Sequence, residues 1–136
     1  MSGSVDYLDT SALVKLIRQE EVWGRDLLTH LAAAGGPLVS SALARTELLR
    51  AVFEDPREVA QAERIVDDIE LIAITTTILD RAGRVGPASL RSLDAIHTAT
   101  ALSLGSDLRA LIAYDERMIQ VARAAGLPVL SPGRAG

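Results

Sequence analysis

Short apolar runs alternate along this chain with longer segments of helical period. Val5-Asp6-Tyr7-Leu8, Leu38-Val39-Ser40, Leu71-Ile72-Ala73-Ile74, Leu111-Ile112-Ala113-Tyr114 and Pro128-Val129-Leu130 read as strands. Between them the pattern predicts helices from Ala12 to Ile17, from Glu20-Glu21 through Leu31, and from Ala42 to Phe53. Further helices are predicted from about Arg57 to Asp68, from Thr75-Thr76-Thr77 to Arg84, from Ser89 or Ser92 to Leu104, and from Glu116 to Ala125. Gly35-Gly36-Pro37, Gly86-Pro87 and Gly105 punctuate the chain, Ser40 or Ser41 can cap a helix, and Pro56 suits a first turn. Strands separated by helices rather than hairpin turns predict an α/β fold: a short parallel sheet of about five strands in three α/β/α layers. No repeat or linker divides it, so one domain is expected over residues 1–130, with Ser131 to Gly136 fraying.

Composition narrows the chemistry. The chain has 136 residues, enough for one core, and 49% are apolar while only 3% are aromatic. Leu, Ile, Val and Ala must therefore fill that core, which favours helices. The absence of cysteine excludes disulfides and thiolate metal sites, and His30 and His97 are too few for a His-rich zinc site. Any bound metal is expected to be a hard cation held by oxygens, which 18 acidic residues can supply. Met1-Ser2-Gly3-Ser4 lacks the basic start of a signal peptide, and no apolar run approaches the ~20 residues of a bilayer span. A cytoplasmic protein without a membrane partner is the expectation. The net charge of −4 argues against a nucleic-acid partner unless several acids are gathered at one cation site.

Four acids invite that reading. Ligands of an open parallel sheet bind outside the carboxyl ends of its strands. Asp9 follows the first strand and Asp115 follows the Leu111–Tyr114 strand. Glu47 shares a helix face with Leu43 and Ala51, and Asp94 lies near the start of a helix whose buried stripe is read as Leu93, Ile96 and Ala99. Asp9 and Asp115 also have a plain explanation as helix caps and Asp94 as a partner of the helix dipole, whereas Glu47, between apolar i±4 neighbours, should need a partner. Capping accounts for them singly but not for their convergence on one edge. Two carboxylates ~4 Å apart repel by about 4 kcal/mol at an effective dielectric near 20, a penalty that Mg²⁺ or Mn²⁺ removes.

Several blocks of sequence resemble the VapC-type PIN domains. They are Tyr7-Leu8-Asp9-Thr10-Ser11-Ala12-Leu13-Val14-Lys15, Ser40-Ser41-Ala42-Leu43-Ala44-Arg45-Thr46-Glu47-Leu48, and Leu90-Arg91-Ser92-Leu93-Asp94-Ala95-Ile96-His97-Thr98-Ala99 with its continuation to Leu102. Ala113-Tyr114-Asp115-Glu116-Arg117-Met118, followed by Ala125-Gly126-Leu127-Pro128-Val129, is similar to a fourth block. The third is the most specific; Tyr114 stands where many relatives carry a smaller or hydroxyl residue.

The resemblance implies a PIN-like fold and a Mg²⁺- or Mn²⁺-dependent endoribonuclease acting as a toxin. Asp9 and Asp94 would ligate the cation directly, Asp115 and Glu47 would complete the shell, and Ser11 would bond a site carboxylate or a phosphate, or simply cap its helix. It also implies a transfer or ribosomal RNA substrate, a VapB-type antitoxin partner and a homodimer. Arg45, Arg84, Arg91 and Arg117 are candidate phosphate contacts, set against ordinary solvated helix faces. His97, three residues after Asp94, reads as a satisfied helix histidine or a partner of a site carboxylate; His30 reads as helix surface. Two other classes remain: a PIN-like binding module that no longer cuts, and a housekeeping RNA-processing nuclease. A haloacid-dehalogenase phosphatase is excluded because it needs a second Asp where Ser11 stands.

Overall fold

The computed structural model describes residues 3–134. Five strands, β1 (Val5–Leu8), β2 (Leu38–Ser41), β3 (Glu70–Ile72), β4 (Leu108–Ile112) and β5 (Val129–Leu130), form one parallel sheet in the order β3-β2-β1-β4-β5. The helices between them are α1 (Thr10–Ile17), α2 (Gly24–Ala34), α3 (Leu43–Val52), α4 (Pro56–Asp68), α5 (Thr76–Ala82), α6 (Ser92–Leu102) and α7 (Glu116–Ala124). The central strand β1 has partners on both sides, and the order reverses around it, so its carboxyl end opens at a topological switch point.

Helices cover both faces of the sheet. On one side Leu8, Leu13, Leu27, Leu48 and Ile112 join α1–α4 in a buried cluster. On the other Tyr7, Val39, Leu111, Met118 and Ile119 pack with α7. Adjacent strand residues thus point to opposite layers, Tyr7 to one and Leu8 to the other, as the two-residue period of a strand requires. A third cluster of Ile78, Ala82, Ala95 and Ala99 fastens α5 to α6.

Local chemistry sets the element ends. The Asp9, Asp55, Thr75 and Asp115 side chains each accept a backbone N–H in the first turn of the helix that follows, and Pro56 occupies a first-turn position. Ser41 Oγ accepts from Leu43 N at 3.1 Å, whereas Ser40 is drawn away to donate to the Leu8 carbonyl at 2.6 Å.

Several predicted boundaries move. β4 starts at Leu108 rather than Leu111, because Val5–Leu8 pairs with Leu108–Ile112 and Arg109 is held against buried Asp6 at 2.7 Å. A charged residue in a central strand is invisible to a hydrophobic pattern until its partner is known. Asp115 is consequently set off from the strand end by Ala113 and Tyr114. α2 opens at Gly24 rather than Glu20, because Glu21 N and Gly24 N bond the Arg18 and Glu21 carbonyls in a turn. α6 stops at Leu102, and a 3₁₀ turn over Gly105–Asp107 follows.

The buried stripe of α3 is Ala44, Leu48 and Val52, not Leu43 and Ala51; Glu47 lies beside it, half-buried. In α6, Leu93 is exposed and the run from His97 to Ala101 is buried on all sides. The tail expected to fray is tied down as far as Arg134. Ser131 Oγ donates to the Ala113 carbonyl, Tyr114 Oη donates to the Pro132 carbonyl at 2.8 Å, and Arg134 pairs with Glu116. Ala135 and Gly136 lie outside the described residues.

Candidate active site at the carboxyl edge of the sheet

Asp9 is the first residue past β1, and its backbone N–H still bonds the Ile112 carbonyl of β4. The residue is 4% exposed. Oδ1 accepts from Ser11 Oγ at 2.7 Å and from Ala12 N at 3.0 Å. Burial pushes the Asp9 carboxyl up to about 6, and nearby Asp115 adds to the rise; Ser11, His97 and the Ala12 N–H oppose it. The cap expected of Asp9 and its place at the sheet edge therefore coexist.

Ser11 is the hinge pin of this corner. Its hydroxyl donates to Asp9 and accepts from Tyr114 N at 2.9 Å and Asp115 N at 3.3 Å. One side chain thereby ties the loop after β1 to the loop after β4. Asp115 is exposed, and its Oδ2 accepts from Met118 N at 3.0 Å as the cap of α7.

A second group faces this corner. Glu47 Oε1 accepts from Thr10 Oγ1 at 2.7 Å and from His97 Nε2 at 2.6 Å. A carboxylate only accepts, so Nε2 carries the proton, and Nδ1 receives the Tyr7 hydroxyl at 2.6 Å. Burial holds the Tyr7 phenol well above its ordinary value, which keeps that donor intact. For Glu47, burial pushes upward, but the bonds from His97 and Thr10, with the Arg91 charge, outweigh it and hold the carboxyl below its usual range.

Asp94 sits in the first turn of α6, one turn before His97, with its side chain 16% exposed. It is linked to Arg91 at 3.4 Å and to none of the other three acids by a hydrogen bond. Among the described residues no three acidic or His side chains close around one point as a cage. Each of the four carboxylates uses one oxygen within the protein, and its second accepts no bond from the described residues. An open set of oxygen donors with one over-buried carboxyl suits a hard divalent cation, which characteristically takes one or two carboxylates and leaves other positions to water or phosphate.

The PIN domain family model matches residues 7–124. Over 128 residues the chain is 42% identical to Ribonuclease VapC46 of Mycobacterium tuberculosis (strain ATCC 25618 / H37Rv), covering 93% of this chain and 96% of that protein. The chain belongs to the PIN-domain family, among its VapC-type members. Ribonuclease VapC47 of M. tuberculosis (strain CDC 1551 / Oshkosh) is 37% identical over 131 residues, covering 93% of this chain and 96% of that protein. Of solved structures, M. tuberculosis VapC20, described as a sarcin-ricin loop cleaving toxin, superposes with a TM-score of 0.72 at 18% identity, over 93% of this chain and 99% of that one. VapBC2 from Rickettsia felis, bound to a DNA fragment from its promoter, gives 0.69 at 15% identity, over 93% of this chain and 97% of that one. Both share the PIN fold described above.

The arginines of this PIN domain divide. Arg45 is directed to Asp67 of α4 at 3.8 Å. Arg91 and Arg117 line a groove of about 400 Å³ with Asp115, Glu116 and Gln120, immediately beside the acidic edge. Arg84 is exposed. His97 is a fully hydrogen-bonded helix histidine whose carboxylate partner is Glu47 rather than Asp94, three residues before it. The sequence does not single out Thr10 or Tyr7, since a hydroxyl after a strand-end Asp and an aromatic within a strand have ordinary structural uses. Only the pairing of α3 with α6 across the site reveals them.

Proposed function

We propose that this PIN domain is a Mg²⁺- or Mn²⁺-dependent endoribonuclease, hydrolysing RNA phosphodiester bonds as the toxin of a VapBC-type pair. The observation that carries the reading is the buried Asp9 carboxyl, raised to about 6 at the switch point of the sheet and braced by Ser11 to the Asp115 loop. Such a group gains most from a neighbouring cation. Relatives at up to 42% identity bearing the name ribonuclease support the reaction class. The VapBC assemblies among the structural neighbours support a VapB-type antitoxin partner. A homodimer is proposed on the family resemblance.

In this scheme Asp9 and Asp94 hold the cation, and Asp115 and Glu47 complete its surroundings directly or through water. The cation would supply Lewis acidity at a phosphoryl oxygen and relief of carboxylate repulsion. Glu47, kept ionised by Thr10 and His97, orients the water that attacks phosphorus as the bond to the leaving oxygen breaks. Arg91 and Arg117 steady the phosphates on either side.

The test is cleavage of total cellular RNA by purified protein, with Mg²⁺ or Mn²⁺, with EDTA, and with Asp9→Asn. Discrete fragments requiring both the cation and Asp9 are expected, and end mapping then identifies a transfer or ribosomal RNA target. No cleavage with any cation by folded protein transfers the reading to a PIN-like binding module.

A further inference from the structure

An aromatic pair stands beside the acidic edge and has no part in the hydrolytic scheme. Trp23 stacks on Tyr114 with ring centroids 5.7 Å apart and planes 15° from parallel. Lys15 Nζ lies 5.3 Å from the Tyr114 centroid and 5.6 Å from that of Trp23. Tyr114 is pinned at both ends, by its N–H to Ser11 and by its hydroxyl to the Pro132 carbonyl. Since Ser11 also donates to Asp9, the stack is two hydrogen bonds from the most perturbed carboxylate of the site.

Core packing does not explain Trp23. Tyr114 packs against the central apolar cluster, whereas Trp23 belongs to none of the three clusters and stays partly exposed. Its backbone is also the only non-glycine one at positive φ (69°) among the described residues, a conformation that L side chains rarely adopt. The next residue lets the chain pass this close: a Cβ on Gly24 would lie 2.3 Å from the Gln19 carbonyl oxygen. The left-handed turn carries the residue whose indole lies on Tyr114. Lys15, the only lysine of the chain, forms no ion pair among the described residues.

We infer that Trp23, Tyr114 and Lys15 form a nucleobase subsite, in which an unpaired base of the RNA stacks on the aromatic pair and Lys15 meets an adjacent phosphate. The inference rests on the ribonuclease reading and deepens it. An aromatic platform accepts any base, because every base has a π face, and a base inside a duplex is already stacked and not available to it. The subsite therefore selects single-stranded over double-stranded RNA without reading sequence.

The single tryptophan makes the test direct, because all indole emission comes from Trp23. The full chain carrying Asp94→Asn is titrated with a short, end-labelled single-stranded oligoribonucleotide, following Trp emission and label anisotropy together. Quenching in step with the anisotropy rise is expected, and an abasic oligonucleotide should raise anisotropy without quenching. Lys15→Gln should lower the salt slope of binding by about one. In the otherwise wild-type chain, Trp23→Ala should raise KM by about 5- to 150-fold with kcat unchanged, the range of ~1–3 kcal/mol per stacked base, and Trp23→Phe should restore most of it. An anisotropy rise with unmoved emission overturns the subsite and leaves the ribonuclease reading standing. No anisotropy change and no RNA cleavage by the wild type overturns both. Emission that answers an antitoxin protein but not RNA makes this a protein-docking patch and also overturns the proposal.

Discussion

Asp9 and Glu47 meet at one sheet edge and are held in opposite ways. Asp9 is buried at that edge with one hydroxyl and one backbone N–H for company, and its carboxyl is pushed up to about 6. Glu47 is only half-buried, receives an imidazole N–H and a hydroxyl on one oxygen, and is held below its ordinary range. Burial penalises a charge, and donors aimed at that charge offset the penalty. The two donors on Glu47 outweigh its partial burial. The donors on Asp9 do not outweigh its burial, and in the proposed scheme a cation would offset the remainder.

The largest effect should come from removing the unsatisfied member. Asp9→Asn is expected to lower RNA cleavage by at least ~10³-fold, roughly 4 kcal/mol of barrier. The same variant should melt above the wild type at pH 7 without divalent cations. The sign follows from linkage: the folded-state value of about 6 exceeds the ordinary 3.8, so the folded protein binds this proton more tightly. The penalty is absent below about pH 4, grows as pH rises, and is fully present above about 6, on the order of 3 kcal/mol. A wild type that melts higher than Asp9→Asn in EDTA at pH 7 would contradict the assigned burial. Asp94→Asn should likewise abolish cleavage, with an unchanged circular dichroism spectrum; retained cleavage would remove Asp94 from the site.

Breaking the satisfied half should register first as stability. His97→Ala strands the Tyr7 hydroxyl and Glu47 and leaves a cavity in a buried helix, an expected loss of about 2–4 kcal/mol read from the denaturant midpoint. It should also raise the Glu47 carboxyl toward the behaviour of Asp9, visible by NMR titration. Adding Mg²⁺ at about 100 times its Kd should stabilise the wild type by ~2.7 kcal/mol in a thermal melt, and Asp9→Asn by much less. The smallest effect is expected for Ser11→Ala: about 1 kcal/mol for the lost hydrogen bonds, with the Tyr114–Asp115 loop less protected in hydrogen exchange.

The amino-acid sequence by itself determined the order of elements, the parallel sheet and the family. Apolar runs separated by helical periods permit few other arrangements, and the Asp9, Glu47 and Asp94 blocks carry their own pattern. It left open what each acid touches. Asp9 and Asp115 cap helices as their local context required, yet Ser11 joins their two loops across 104 residues of sequence separation. The His97–Glu47 bond spans 50 residues, and the start of β4 depended on Arg109 finding Asp6, 103 residues away. Tertiary structure alone decided these, along with the seating of Trp23 on Tyr114. Local propensity and periodicity act over one or two turns, whereas burial, donor geometry and charge proximity are properties of neighbours that only the folded chain brings together.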